Sequence, residues 1–253
     1  FAGGAPPCSA MASDLDEASI GQDGVVDDPP AVAARVPLNI YMCRHGTTTW
    51  NLAKRWQGAT DTDLAPEGIE QARATARQLR DRDLSVTRIY ASDLRRARCT
   101  AELYAEVLGC EVVVDPRLRE PSLGRFEGMT KDAIYSEYAE LFGQLASLGQ
   151  EERLRAAYFE GLETPLDTSR RVEALASELA AAQAQAQAPA ADGTVLFVTH
   201  SKVLEAVLAV VFGKFYEGVH TTTCAFFHWK YVAGAHDLGE MHGIKFHDHV
   251  IEQ

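Results

Sequence analysis

The stretch Leu38-Asn39-Ile40-Tyr41-Met42-Cys43-Arg44-His45-Gly46 decides the reading of this chain. Its first six residues form a largely apolar run of strand length, and an arginine, a histidine and a glycine follow at once. Open α/β sheets receive ligands at the carboxyl ends of their strands, which is where this tripeptide falls. An imidazole there can attack phosphorus when its attacking nitrogen is unprotonated, while adjacent guanidiniums hold the dianionic group and neutralise the charge that develops. Taken alone, the tripeptide is weak evidence, because a strand-end histidine is more often a satisfied structural residue. The rest of the chain has to decide.

Outward from this stretch, short apolar runs alternate with segments of helical period, the pattern of a mostly parallel sheet covered by helices. Residues 38–43 read as the first strand. Residues 67–83 read as a helix, with Ile69, Ala72, Ala76 and Leu79 on one face and Pro66 in its first turn. Residues 88–91 form a second strand, and Ser92 or Asp93 is placed to cap a helix over 94–108 that Gly109 closes. A third strand follows over 111–114. The span 129–166 is amphipathic but irregular, with Tyr135, Tyr138, Phe142, Tyr158 and Phe159 as packing residues of a lid. A helix is expected over 168–187, ended by Pro189 and Gly193, then a core strand over 194–199 and its helix over 201–212. Residues 221–232 and 240–246 read as two further strands, antiparallel by their short connection. The expected fold is therefore an α/β three-layer sandwich: a mostly parallel sheet with one antiparallel edge strand and helices on both faces.

The chain has 253 residues and a formal net charge of −12. This length supports one sizeable core. Residues 1–36, rich in Gly, Ala, Pro and Asp, read as a disordered acidic arm, and residues 37–253 as the folded domain. The acidic balance works against nucleic acid or an anionic membrane as partner, and no apolar run is long enough to span a bilayer. A local cluster of Arg44, Arg55, Arg95, Arg96 and Arg98 can still attract a small anion. Five cysteines, odd in number and widely spaced, point away from a disulfide framework or zinc site and toward a reducing, cytoplasmic setting. The histidines His228, His236, His242, His247 and His249 lack metal-site spacing and read as a surface tail.

Three more constellations bear on phosphate. Ser92-Asp93-Leu94-Arg95-Arg96-Ala97 offers the first turn of a helix next to arginines. In the loop after the third strand, Glu120 precedes the turn Pro121-Ser122-Leu123-Gly124, and a desolvated carboxyl there can protonate a leaving oxygen. Glu127, in the same loop, reads as an ordinary loop carboxylate. Val198-Thr199-His200 puts a second histidine at the end of the most apolar strand, at the same sheet edge as His45.

Together these pieces resemble the histidine phosphatase superfamily, the phosphoglycerate mutase-like group. The likeness covers most of residues 38–247, in the family's order: Arg44-His45-Gly46 with Thr48, Trp50 and Asn51, then Arg55, Gln57-Gly58, Gly68, Gln71-Ala72, Ser92, Arg96-Ala97, Glu120, Gly124, Glu127-Gly128 and Val198-Thr199-His200. The resemblance implies that His45 becomes phosphorylated, that Arg44, Arg96 and His200 bind the phosphoryl group, and that Glu120 is the proton donor and later the base for water. It also implies that Asn51 and Arg55 face the phosphate or the substrate, and that neither metal nor cofactor takes part. Thr47 stands where the family usually has Glu or Gln, and Ser201-Lys202 where it usually has Gly; both bear on specificity, with Lys202 more often a solvated lysine in such a place than a contact for a second anionic group. The short stretch after the acid loop, with Glu163-Thr164 and Arg171 downstream, resembles the family's broad-specificity phosphatases more than its classical mutases. The expected activity is hydrolysis of a small phosphomonoester. A phosphoglycerate-type mutase and a catalytically silent phosphate-binding protein are the alternatives.

Overall fold

The computed structural model describes residues 36–82, 84–186, 193–214, 219–232 and 234–246. The sequence reading of an arm over residues 1–36 falls almost wholly outside them, as do His247 and His249.

Six strands form one sheet in the order β3-β2-β4-β1-β5-β6: β1 (Leu38–Arg44), β2 (Val86–Ala91), β3 (Glu111–Val114), β4 (Thr194–Thr199), β5 (Val219–Val232) and β6 (Ala235–Phe246). The first four are parallel, with Arg44 opposite Thr199 across the β1–β4 pair. β5 runs against β1, and β6 pairs antiparallel with β5 at the edge.

Strand alternation sorts the core into two layers. Ile40, Met42 and Phe197 face α7 (Pro165–Gln185) and α8 (Ser201–Phe212), where Val172, Leu175, Val203, Leu204 and Val207 bury them. Tyr41, Cys43, Leu196 and Val198 face α2 (Pro66–Arg80) and α3 (Arg95–Leu108), packing on Ala72, Ala76, Leu79, Ala97, Ala101 and Tyr104. The small residues on α2 and α3 let these helices lie close to the sheet. The three-layer α/β sandwich expected from the sequence is the fold observed.

The differences have local causes. α2 stops at Arg80 because Leu79 is its last buried residue. α7 starts at Pro165, three residues early, because Thr164 and Asp167 form a reciprocal capping box with Pro165 at the first helical position, a signal already present in the sequence. β6 begins at Ala235 rather than 240, because its outward-facing residues are exposed and leave no apolar alternation to read. Of the two expected caps of α3, Ser92 Oγ accepts from the Leu94 amide at 3.3 Å, while Asp93 pairs instead with Arg119 and the Arg95 amide is taken by Asp61 of a distant loop at 2.7 Å.

The span 129–166 folds into α4 (Lys131–Glu137), α5 (Ala139–Ser147) and α6 (Gln150–Leu154), after the short helix α1 (Thr49–Leu52) has brought Trp56 alongside. Phe126 is fully buried among Trp56, Tyr138, Phe142, Tyr158 and Phe159, forming a third, separate core that holds this cover on the domain. The C-terminal histidines are not a surface tail where they are described. His228 stacks on Tyr41 at 4.9 Å, His242 on Phe226 at 5.2 Å, and His236 accepts from Trp229 Nε1.

Candidate functional site

His45 sits where β1 ends. Its backbone amide donates to Thr199 O at 3.0 Å and its carbonyl accepts from Cys224 N, so the strands on either side fix the turn. Gly46 N donates to Thr100 Oγ1. A Cβ on Gly46 would stand 2.5 Å from Gly68 O, and one on Gly68 2.0 Å from Thr47 O, so the glycine pair lets the turn and the start of α2 touch. Gly68→Ala is expected to cost about 2–3 kcal/mol, read as a lower urea midpoint at unchanged slope, because both partners are backbone and cannot move aside.

The imidazole of His45 is buried and its Nδ1 donates to Gly46 O at 2.7 Å, which leaves Nε2 with a free lone pair. Burial, then the charges of Arg96 and Arg44, hold its pKa well below the ordinary histidine value, so the ring is neutral at physiological pH. A neutral ring with one nitrogen pinned is a nucleophile set in one tautomer.

His200, fully buried at the end of β4, lies with its ring centre 5.2 Å from that of His45. Its Nδ1 accepts from Arg96 Nε at 3.2 Å, and its Nε2 meets Ser92 Oγ at 2.8 Å. Arg96, 1% exposed, also donates to Thr60 O and Gly58 O at 2.8 and 2.7 Å. Burial lowers its pKa to about 10, so it remains a cation near neutrality. Arg44 donates to Thr221 O, while its Nε is buried without a hydrogen-bond partner among the described residues. The buried Arg96 and the half-buried Arg44 beside a neutral imidazole make a strongly anion-attracting pocket in an acidic protein.

Glu120 is buried opposite them. Lys202 N donates to its Oε1 at 3.3 Å, and its Oε2 is buried without a hydrogen-bond partner among the described residues. Burial, reinforced by Glu205 and opposed by Arg96 and Lys202, lifts its pKa from 4.5 to about 7. A carboxyl that exchanges its proton near neutrality can serve as acid and then as base.

Arg44, His45, Asn51, Arg55, Arg96 and Glu120 all line one cavity of about 620 Å³. Asn51 Oδ1 accepts from the Thr48 amide and hydroxyl, and Arg55, exposed at the rim, donates to Gly128 O. Arg95 and Arg98 are not part of it; they pair with Asp63 and Glu102 outside. The first turn of α3 is not an open phosphate seat either, since Asp61 and Ser92 Oγ already take the Arg95 and Leu94 amides. Thr47 points elsewhere, to Gln71 and Thr223. Glu127 is more than a loop carboxylate: it accepts from Thr60, Ser122 and the Ala59 and Leu123 amides, tying the acid loop to the Gly58 turn.

Several cavity residues escaped the sequence reading, Trp56, Arg153 and Glu205 among them; they line it along with Glu163, Lys202 and Tyr135, Phe142 and Tyr158 of the expected lid. A signal existed for Glu205, a lone carboxylate in an otherwise apolar helix, where it now pairs with Lys202 at 2.8 Å. Nothing in the sequence marked Arg153 or Trp56, whose place depends on how the cover folds back. Among the described residues no group of three His, Cys, Asp or Glu is arranged to hold a metal, and no helix is long and apolar enough to cross a membrane.

A cavity of this kind, at the carboxyl edge of a sheet in this strand order, places the molecule among phosphoglycerate mutase-like α/β proteins. The family model of the histidine phosphatase superfamily (branch 1) matches residues 40–240, and the chain belongs to that superfamily. A protein of Escherichia fergusonii named probable phosphoglycerate mutase GpmB is 34% identical over 177 residues, 70% of this chain and 75% of that protein. Another of that name, from Erwinia tasmaniensis, is 45% identical over 100 residues; the match covers 40% of this chain and 46%, under half, of that relative. Among solved structures, a mycobacterial glucosyl-3-phosphoglycerate phosphatase in complex with VO3 superposes with a TM-score of 0.68 at 29% identity, covering 80% of this chain and 98% of that one.

Proposed function

We propose that this protein is a metal-independent phosphatase that hydrolyses a small phosphomonoester through a phosphohistidine on His45. The single observation that carries the reading is the neutral, singly tautomeric His45 that shares one cavity with the Arg44 and Arg96 guanidiniums and with a carboxyl that titrates near pH 7. In this reading His45 Nε2 attacks phosphorus, and the ester oxygen departs with the proton of Glu120. The resulting carboxylate then takes a proton from water, whose oxygen attacks phosphorus, breaks the P–N bond and releases inorganic phosphate.

Arg44 and Arg96 neutralise the equatorial oxygens throughout, and Arg44 Nε, buried without a partner among the described residues, is a donor left to them. His200 takes part as a neutral ring: its Nδ1 accepts from Arg96 Nε and so helps hold the guanidinium that binds the phosphoryl group. Asn51 and Arg55 complete the rim of the phosphate end. The substrate is a phosphorylated metabolite rather than a nucleic acid or a lipid surface, in keeping with the net charge of −12.

The relatives named phosphoglycerate mutase support a second reading, transfer of the phosphoryl group to another alcohol. The first assay separates the two: p-nitrophenyl phosphate, sugar phosphates and phosphoglycerates are supplied with EDTA present, and released phosphate and isomerised phosphoglycerate are both measured. Steady EDTA-resistant phosphate release with no isomerisation is the expected outcome. Isomerisation outpacing release removes the phosphatase reading, and absence of both favours a silent binder.

A further inference from the structure

The three peptide carbonyls that lead into Glu120 are each captured by a side chain. Arg171, on the second turn of α7, donates to Arg117 O through Nη1 and to Arg119 O through Nη2, the latter at 2.6 Å. Between them, Leu118 O accepts from Thr199 Oγ1 at 2.6 Å, one residue before His200 on β4. Arg171 is itself braced from behind, its Nε and Nη2 gripping Glu163 at 2.6 and 2.8 Å. Glu163 closes the cover segment and lines the cavity.

Irregular backbone rarely has three consecutive carbonyls answered by side chains from two distant elements. Leu118 is fully buried and would anchor the segment without them. What the added hydrogen bonds fix is the direction of the chain as it leaves the core, and therefore where the Glu120 carboxyl comes to rest. A planar guanidinium can hold two carbonyls and a bidentate carboxylate at once, four hydrogen bonds where an ammonium has only three donors.

We infer that Arg171, braced by Glu163, is a positioning residue of the reaction: it grips the carbonyls on either side of Leu118 and so aims Glu120 at the ester oxygen that leaves. The inference rests on the reading of Glu120 as the proton donor. Removing Arg171 lets the acid loop shift, and a shift of about 1 Å in a catalytic group costs up to about a hundredfold. The loss falls only on substrates whose leaving group needs a proton.

The test compares kcat/KM, which covers the steps up to departure of the alcohol, for glycerol 2-phosphate and p-nitrophenyl phosphate in the full chain. The variants are Arg171→Ala, Arg171→Lys, Glu163→Gln, Glu120→Gln and the double variant Glu120→Gln with Arg171→Ala. Arg171→Ala is expected to lose about 30-fold on glycerol 2-phosphate and under about threefold on p-nitrophenyl phosphate. Arg171→Lys and Glu163→Gln should fall between it and the wild type, and the double variant should be no worse than Glu120→Gln alone on the alkyl ester. Equal losses on both substrates, or additive losses in the double variant, reduce Arg171 to a structural ion pair and overturn the inference. If Arg171→Ala does not fold, Glu163→Gln carries the same comparison, and equal losses there overturn it likewise. Glu120→Gln without any preference between the substrates instead removes the underlying reading of Glu120.

Discussion

His45→Ala is expected to lower phosphate release by about 10⁴-fold or more on every substrate, good and poor leaving groups alike, because it deletes the proposed nucleophile. The variant should stay folded: the loss is one hydrogen bond to Gly46 O, worth about 1 kcal/mol. Residual turnover within tenfold of the wild type would sink the phosphohistidine reading outright. The same residue governs the acid side of the pH profile. Because burial and the two arginines depress its pKa, the ring keeps its lone pair as pH falls through the ordinary histidine range. Activity is thus expected to persist below pH 6.5, where an unperturbed histidine would already be protonated and silent.

Glu120→Gln has the second largest expected effect, and it should depend on the leaving group. An alkyl ester needs the proton, so its kcat/KM is expected to fall by about 10²–10⁴-fold, whereas p-nitrophenyl phosphate, whose phenolate departs unaided, should fall far less. In the wild type, kcat/KM on the alkyl ester should decline above about pH 7 as the free carboxyl loses its proton, and the variant should lack that limb. A wild-type profile flat from pH 6 to 9 would remove Glu120 as the acid.

The raised pKa also has a cost in stability, with a sign opposite to that of a salt-bridged carboxylate. Folding keeps the proton on Glu120, so the native state is undisturbed by it below 4.5 and loses stability as pH rises from there through about 7. The displacement from 4.5 to about 7 corresponds to about 3 kcal/mol at pH 8.5. Glu120→Gln should therefore unfold at a higher urea concentration than the wild type at pH 8.5 and near the same one at pH 4.5. A variant less stable than the wild type at pH 8.5 would mean that the carboxylate is held by partners rather than strained by burial.

Much of the site could be read from order alone. Arg44, His45, Arg96, Glu120 and His200 each stand at or near a strand end that hydrophobic patterning locates, and parallel connection sends all those ends to one edge. The errors fall where a residue's meaning depends on a partner far away in sequence. Arg95 and Arg98 share the basic cluster with Arg96, yet helix periodicity turns them outward to Asp63 and Glu102. Glu127 reads as a loop carboxylate until the Gly58 turn folds against it, and His228 reads as tail until β5 brings it onto Tyr41.

The sequence by itself determined the alternation of strand and helix, the three-layer α/β architecture and the roster of groups at the carboxyl edge, because apolar periodicity and strand-end position are local properties of the chain. Only the tertiary structure decided which nitrogen of His45 is free, why Glu120 holds its proton near neutrality, how Arg171 grips the acid loop, and that Trp56, Arg153 and Glu205 line the cavity. Those are matters of desolvation, charge proximity and hydrogen-bond geometry between residues far apart in sequence, and they come into being only when burial brings the groups together.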